Sequence, residues 1–258
     1  MRVAAFQLAA GGETASARLA AIADAVTQAK RADATLAVFP ELALPGYGAG
    51  EVIKDAARER GDELLAALAR LADRSGIAIV AGIALERQGS IVNAAALLRP
   101  GEEPVVYAKR QLYGTYEKAL FRAGDIPPPV VELGGLKAGL LVCFDVEFPE
   151  HVRDLARRGA NIVLVPTALP RSPAAHFIAR NVIPVRAFEN QVFVVYADWC
   201  GTDARFAYQG LSSIAAPDGS RLAEANESDP AMLVGDIDPG AFSASKEQNP
   251  YLDELRSV

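Results

Sequence analysis

Two stretches of the chain that lie far apart follow the same plan. "AKRADATLAVFPE" (29–41) and "ARRGANIVLVPTA" (156–168) each carry a basic helix end through a turn into a short apolar strand with a proline at its close. The units that follow also correspond, "LADRSGIAIVAG" at 71–82 against "AFENQVFVVYAD" at 187–198. A repeated helix–strand unit limits the fold severely, because strands that alternate with helices build sheets whose faces the helices cover. The echo predicts an α/β chain of two βαβ-type halves related by a pseudo-twofold, in one domain spanning 1–258.

The rest of the chain fits that plan. "RVAAFQL" reads as the first strand, "ASARLAAIADAVTQAKRAD" carries apolar residues at helical spacing, and a second long helix covers roughly 51 to 75. "IAIVAGIAL" has the near-continuous apolar character of a strand covered on both faces. "VNAAALLRP", "PVVYAKRQL", "LKAGLLVCFD" and "NIVLVPT" are further strands, with a helix at about 149 to 158 between the last two. Another helix spans about 173 to 189, and "QVFVVYADW", "LSSIAAP" and "AMLVGDID" complete the sheets. The polar tail from about 240 is expected to be extended.

A net charge of −6, with no basic block, argues against a nucleic-acid partner. No apolar run approaches the roughly 18 residues of a membrane span, and Gln7 interrupts the short apolar start before it could serve as a signal peptide. Two cysteines make no disulfide framework, so a reducing cytoplasm is the expected compartment. Two cysteines and two histidines without ligand spacing predict no metal site, and the absence of a P-loop or Gly-x-Gly-x-x-Gly run predicts no nucleotide cofactor.

In α/β folds ligands sit at the carboxyl ends of strands. Three reactive residues fall at or near such ends: Glu41 after "TLAVFP", Lys109 late in "VVYAKRQL" and Cys143 after "LKAGLLV". Their meeting would answer a problem posed by "GLLVCFDVEFPE". The acids Asp145, Glu147, Glu150 and Asp154 follow the cysteine closely and would oppose ionisation of its thiol. A nearby ammonium favours the thiolate, and a desolvated carboxylate can accept the thiol proton and later deliver it to a leaving amine. Lys109 and the Phe144 N–H could then hold an oxyanion. Carboxylate, cation and thiol suit acyl transfer.

"FPELALPGY" (39–47), "YAKRQL" (107–112) and "GLLVCFDVEFPE" (139–150) resemble, in order and spacing, the three signature segments of the nitrilase superfamily of carbon–nitrogen hydrolases. "ANIVLVPTA", "RAFENQVFVV" and "YQGLSSIAAPDG" extend the resemblance essentially end to end. It implies a Glu-Lys-Cys triad of Glu41, Lys109 and Cys143. It also implies a second glutamate, Glu117 in "YEKALFRAG", that orients Lys109 or the substrate. The implied fold is a four-layer α-β-β-α sandwich, and the implied assembly is a homodimer or higher homo-oligomer paired through outer helices.

Phe144-Asp145 after the cysteine, where true nitrilases carry Trp-Glu, resembles the amidase branches. The implied substrate is a small primary amide, possessing an aliphatic or amino-acid acyl group, cleaved to carboxylate and ammonia through a cysteine thioester. The alternatives are a nitrilase, a hydrolase of N-carbamoyl compounds, or a non-catalytic oligomeric partner. Glu147 stands where carbamoyl-amino-acid hydrolases place an arginine, which disfavours anionic substrates and favours neutral or amine-bearing ones. Tyr47, Tyr113, Tyr116, Phe144, Glu147, Thr167 and Trp199 are the candidates for substrate contact. Cys200 is expected to be structural, His151 to face away from Cys143, and His176 to pack or lie at the surface.

Overall fold

The structure is a computed structural model and describes residues 1–12 and 14–256. The first half runs β1 (Arg2–Ala9), α1 (Ala15–Arg31), β2 (Leu36–Val38), α2 (Val52–Ser75), β3 (Ala78–Arg87), β4 (Ser90–Leu98), β5 (Val105–Ala108) and α3 (Gly114–Leu120). The second runs β6 (Val130–Leu133), β7 (Leu136–Leu140), α4 (Pro149–Arg157), β8 (Ile162–Pro166), α5 (Pro173–Phe177), α6 (Ile183–Asn190), β9 (Phe193–Ala197), β10 (Trp199–Cys200), β11 (Ser213–Ala215), β12 (Arg221–Glu224) and β13 (Ala231–Asp236).

Strand alternation generates the layers. Along β1, Val3 and Ala5 point one way and Ala4 and Phe6 the other, as a period of two requires. Val3 and Ala5 join Leu36, Val38 and Val80 against Leu140, Ile162, Leu164 and Val195, forming a core between two sheets. Ala4 and Phe6 join Ile79 and Ile83 beneath Ile22 and Val26 of α1 and Leu64 and Leu68 of α2. Val163 and Val194 of the second sheet pack instead beneath Val152 and Leu155 of α4 and Ile183 and Ala187 of α6. The result is helix, sheet, sheet, helix: the expected four-layer sandwich.

The pseudo-twofold is explicit in the pairing. The first sheet has the order β10-β1-β2-β3-β4-β5, with β13 also on β1, and the second has the order β12-β11-β9-β8-β7-β6. β1–β2 and β2–β3 are parallel and β3–β4 and β4–β5 antiparallel; β7–β8 and β8–β9 are parallel and β9–β11 and β11–β12 antiparallel. Each half also has an antiparallel outer partner, β13 on β1 and β6 on β7. The two quoted echoes correspond to α1–β2 with α4–β8 and to α2–β3 with α6–β9.

Two expectations need correction. The helix expected over about 173 to 189 is broken by a π-helical segment, Ile178–Val182, between α5 and α6. Pro184, in the first turn of α6, has no N–H to give and crowds the carbonyl four residues back, so the ladder widens there. The tail from about 240 is not extended. A 3-10 turn at Pro239–Phe242 leads into α7 (Ser243–Gln248) and α8 (Tyr251–Glu254). Asp238 starts the turn by accepting from Gly240 N at 3.0 Å, and Phe242 and Tyr251 pack edge-on against Phe193 and Phe188. The polar composition concealed those two aromatic anchors.

Candidate active site

Glu41 lies just beyond β2, in a turn held by both halves. Its N–H donates to the Thr167 carbonyl at 3.2 Å, and Trp199 Nε1 donates to the Glu41 carbonyl at 2.8 Å. Thr167 occupies the position after Pro166 that Glu41 occupies after Pro40, so the pseudo-equivalent residues touch. Gly82 of β3 passes directly beneath this turn. A Cβ there would run into Glu41 Cα and Leu42 N, and only a hydrogen side chain permits the approach.

Two buried carboxylates converge on a single ammonium. Lys109, one residue past β5, donates through Nζ to Glu41 Oε1 and to Glu117 Oε1, both at 2.7 Å. Its backbone donates to the Asn93 carbonyl at 2.8 Å, and Asn93 Nδ2 donates to the same Glu41 Oε1 at 2.6 Å. Glu117, in the first turn of α3, accepts from the Tyr47 hydroxyl at 2.8 Å through Oε1 and from Tyr113 N at 2.9 Å through Oε2. Glu41, Asn93, Lys109 and Glu117 are all at most 1% exposed.

Cys143 opens a 3-10 turn, Cys143–Glu147, on the second sheet's side. β7 stops at Leu140, three residues before it. The cysteine adopts φ +43°, an uncommon left-handed conformation for a residue with a Cβ. Its Sγ lies 3.8 Å from the Ala168 carbonyl oxygen. The thiol feels Glu41, Lys109 and Glu117 as nearby charges, so acid, ammonium and sulfur share one buried site.

The electrostatics refine the expected activation. Burial pushes the Cys143 thiol well up; Glu41 and Glu117 add to this, and Lys109 only partly opposes it. The surroundings of the resting sulfur therefore favour the thiol over the thiolate. Burial also lifts Glu41 to about 7 against the pull of Lys109. Burial alone would push Lys109 down, but Glu41 and Glu117 outweigh it and keep the ammonium charged. A thiol favoured in its protonated form thus shares a buried site with a carboxylate poised near neutrality, groups suited to exchanging a proton as the sulfur attacks.

The other candidates take varied places. Phe144 packs edge-on against Tyr113 and Phe148, with centroids 5.1 and 5.0 Å away, and Tyr113 is 45% exposed. Tyr47 is buried on Glu117, and Tyr116 supports it by donating to the Tyr47 carbonyl at 2.6 Å. Glu147 is partly buried and burial raises it to about 7, while Arg186 grips its carbonyl at 2.6 Å and that of Val146 at 3.0 Å. Thr167 and Trp199 adjoin the Glu41 turn. Both are buried with their polar groups turned to backbone, Thr167 Oγ1 to the Val165 carbonyl and Trp199 Nε1 to that of Glu41, so they brace the turn.

Of the four acids near the cysteine, Glu150 and Asp154 are exposed while Asp145 is fully buried. Cys200 is buried, and His151 Nε2 lies 3.3 Å from Gln111 Nε2. Two residues of the site were missed. The signal for Asn93 is a lone amide inside the apolar run "IVNAAALL", and Asp145 enters the sequence reading only as an acid opposing ionisation and as part of the Phe144-Asp145 pair. Among the described residues no group of three His, Cys, Asp or Glu side chains is placed to hold a metal.

The carbon-nitrogen hydrolase family model matches residues 2–247. The chain belongs to the carbon-nitrogen hydrolase family. It is 41% identical to the hydrolase in the pqqF 5′ region of Pseudomonas protegens, over 87% of this chain and 79% of that protein. It is 32% identical to an (R)-stereoselective amidase of a Pseudomonas species, over 87% and 80%. The crystal structure of an amidase from Nesterenkonia sp. superposes with a TM-score of 0.89 at 35% identity, covering 99% of this chain and 93% of that one. A variant of that amidase shows Michael addition of acrylamide at the active-site cysteine. This carbon-nitrogen hydrolase is thus an amidase-like member of the nitrilase superfamily, a hydrolase of carbon–nitrogen bonds other than peptide bonds. No helix among its described residues is long and apolar enough to cross a membrane.

Proposed function

We propose that the protein is an amidase that hydrolyses a small primary amide through a thioester on Cys143. One observation carries this reading: Glu41 Oε1 is held by both Lys109 and Asn93, while the buried Oε2 has no partner among the described residues. That free oxygen is an acceptor for the thiol proton.

Glu41 takes the proton of Cys143 as Sγ bonds to the amide carbon. An ammonium has three donors; two of Lys109's are engaged by Glu41 and Glu117, and the third is left for the oxyanion. Collapse of the tetrahedral intermediate breaks the carbon–nitrogen bond, and Glu41 returns its proton to the departing nitrogen as ammonia. Water then attacks the thioester with Glu41 again as base, and breakage of the carbon–sulfur bond restores the thiol and releases the carboxylate. Glu117, fixed by Tyr47 and Tyr113, holds Lys109 in place throughout.

Addition of acrylamide at the active-site cysteine of the Nesterenkonia amidase, which brings a small primary amide to that sulfur, supports a small amide as substrate. The same reading includes a homodimer or higher homo-oligomer paired through outer helices, where Phe177 and Val185 are 59% and 47% exposed. It also includes a reducing cytoplasm, which suits two unpaired cysteines. The deciding experiment is ammonia release from matched amide, nitrile and N-carbamoyl compounds, with Cys143→Ala as the blank and trapping of a Cys143 acyl adduct by mass spectrometry. Turnover of nitriles or carbamoyl compounds but not amides would refute the substrate class. A Cys143 that reacts no faster than Cys200 with a thiol reagent, with no turnover, would mark a non-catalytic protein.

A further inference from the structure

Asp145 is the buried carboxylate beside the nucleophile that this chemistry leaves unused, and its two oxygens together reach two different pieces of chain. Oδ2 accepts from Val142 N at 3.1 Å and from the Tyr107 hydroxyl at 3.0 Å. Oδ1 accepts from Gln111 N at 2.8 Å. Tyr107 and Gln111 lie two residues to either side of Lys109, whereas Val142 immediately precedes Cys143. Asp145 N also returns a bond to the Val142 carbonyl at 3.0 Å. The two reciprocal bonds close the turn that holds Cys143 at φ +43°. A side-chain-bearing residue keeps such a conformation only where its surroundings over-determine it.

We propose that Asp145 is a positioning residue for the reaction: its carboxylate fixes the Cys143 sulfur relative to the Lys109 ammonium by clamping the nucleophile's turn, on the second sheet, to the lysine segment, on the first. The chemistry of the three neighbours demands a carboxylate. Tyr107 O–H, Gln111 N–H and Val142 N–H are all donors, so both oxygens must accept. An asparagine keeps one oxygen and turns an NH2 against a donor at the other place. With its oxygen at Oδ1 it loses Val142 N and Tyr107 and frees the cysteine turn; with its oxygen at Oδ2 it loses Gln111 N and leaves the lysine arm on Tyr107 alone. Tyr107→Phe removes one donor and leaves both backbone contacts intact. Burial raises the Asp145 pKa, opposed first by Lys109 and then by these donors.

This inference rests on the amidase reading for its kinetic readout but has a second readout that does not need turnover. The test measures kcat and KM on acetamide for the wild type, Asp145→Asn and Tyr107→Phe. It also follows the pH-dependent rate at which iodoacetamide alkylates Cys143, assigned by peptide mapping. A misplacement near 1 Å costs about 100-fold, so Asp145→Asn, folded by circular dichroism, is expected to lose kcat on that order while KM stays within about threefold. Its alkylation at neutral pH slows at least about tenfold, because alkylation passes through the thiolate, which loses the ammonium that favours it. Tyr107→Phe loses a smaller factor in both rates, about threefold or more, as expected for one of three bonds to a charged acceptor.

A folded Asp145→Asn protein with both rates close to wild type overturns the proposal. So do losses that merely track the unfolded fraction and vanish on cooling. Should Asp145→Asn not fold, Tyr107→Phe decides: parallel loss of kcat and alkylation at steady KM upholds the clamp, and unchanged rates remove it. If no amide is turned over by any form, the amidase reading fails while the alkylation series still tests the clamp.

Discussion

Replacing Asn93 by leucine separates the base from its surroundings with little change of shape. Asn93 is fully buried, donates to Glu41 Oε1 at 2.6 Å and leaves its own Oδ1 without a partner among the described residues. Leucine therefore removes one strong bond to a carboxylate and one unsatisfied acceptor together. A hydrogen bond to a charged group is worth about 1.5–3 kcal/mol, and about 1.4 kcal/mol corresponds to one pKa unit. Losing it disfavours the carboxylate form, so Glu41 should rise from about 7 by roughly one to two units. The base must be deprotonated to take the thiol proton, so the acidic limb of kcat/KM against pH moves to higher pH by that amount. The assay is ammonia release from acetamide, because kcat/KM reports groups of the free enzyme. An unmoved limb, or one displaced toward acid, would refute Glu41 as the titrating base.

Three further outcomes are expected. Gly82→Ala should fold with a loss of about 1–3 kcal/mol from overpacking and a disproportionate fall in kcat, read by urea titration beside kinetics, because its Cβ displaces the Glu41 turn. Lys109→Met should lose activity and about 3–5 kcal/mol of stability at neutral pH, since Glu41 and Glu117 are left buried without their cation; a fully stable variant would contradict this. Glu147 has a folded pKa raised to about 7, so the folded state binds the extra proton and its stability falls as pH rises from about 4.5 through 7. Glu147→Gln should flatten that fall, gaining relative to wild type between pH 5 and pH 8 in paired urea titrations. If it also leaves the preference between a free amine and its N-acetyl derivative unchanged, Glu147 has no part in selecting amine-bearing amides.

Much of this architecture was legible because it rests on periodicity. The two echoes mark strands whose alternate residues feed separate cores, and the structure keeps them as β2 with β8 and β3 with β9. Glu41, Lys109, Glu117 and Cys143 were legible because few other reactive groups sit at strand ends or match the signature segments. What escaped depends on direction rather than composition. Asn93 looks like one polar residue in a strand until its amide is seen on Glu41, and Asp145 looks like a hostile charge until its donors are counted. Thr167 and Trp199 lie near the right segments, and the hydrogen bonds by which they brace the Glu41 turn show only in three dimensions. The bent helix and the coiled tail depended on single residues, Pro184, Phe242 and Tyr251, against a background that said otherwise.

The antiparallel pairing of β13 with β1, from Arg2 with Asp236 to Gln7 with Ala231, has a consequence for biosynthesis. β1 is made well before β13, so residues 2–7 leave the ribosome with an open hydrogen-bonding edge until residues 231–236 follow. Closure between segments so far apart in sequence slows folding and leaves that edge open to other strands in the meantime.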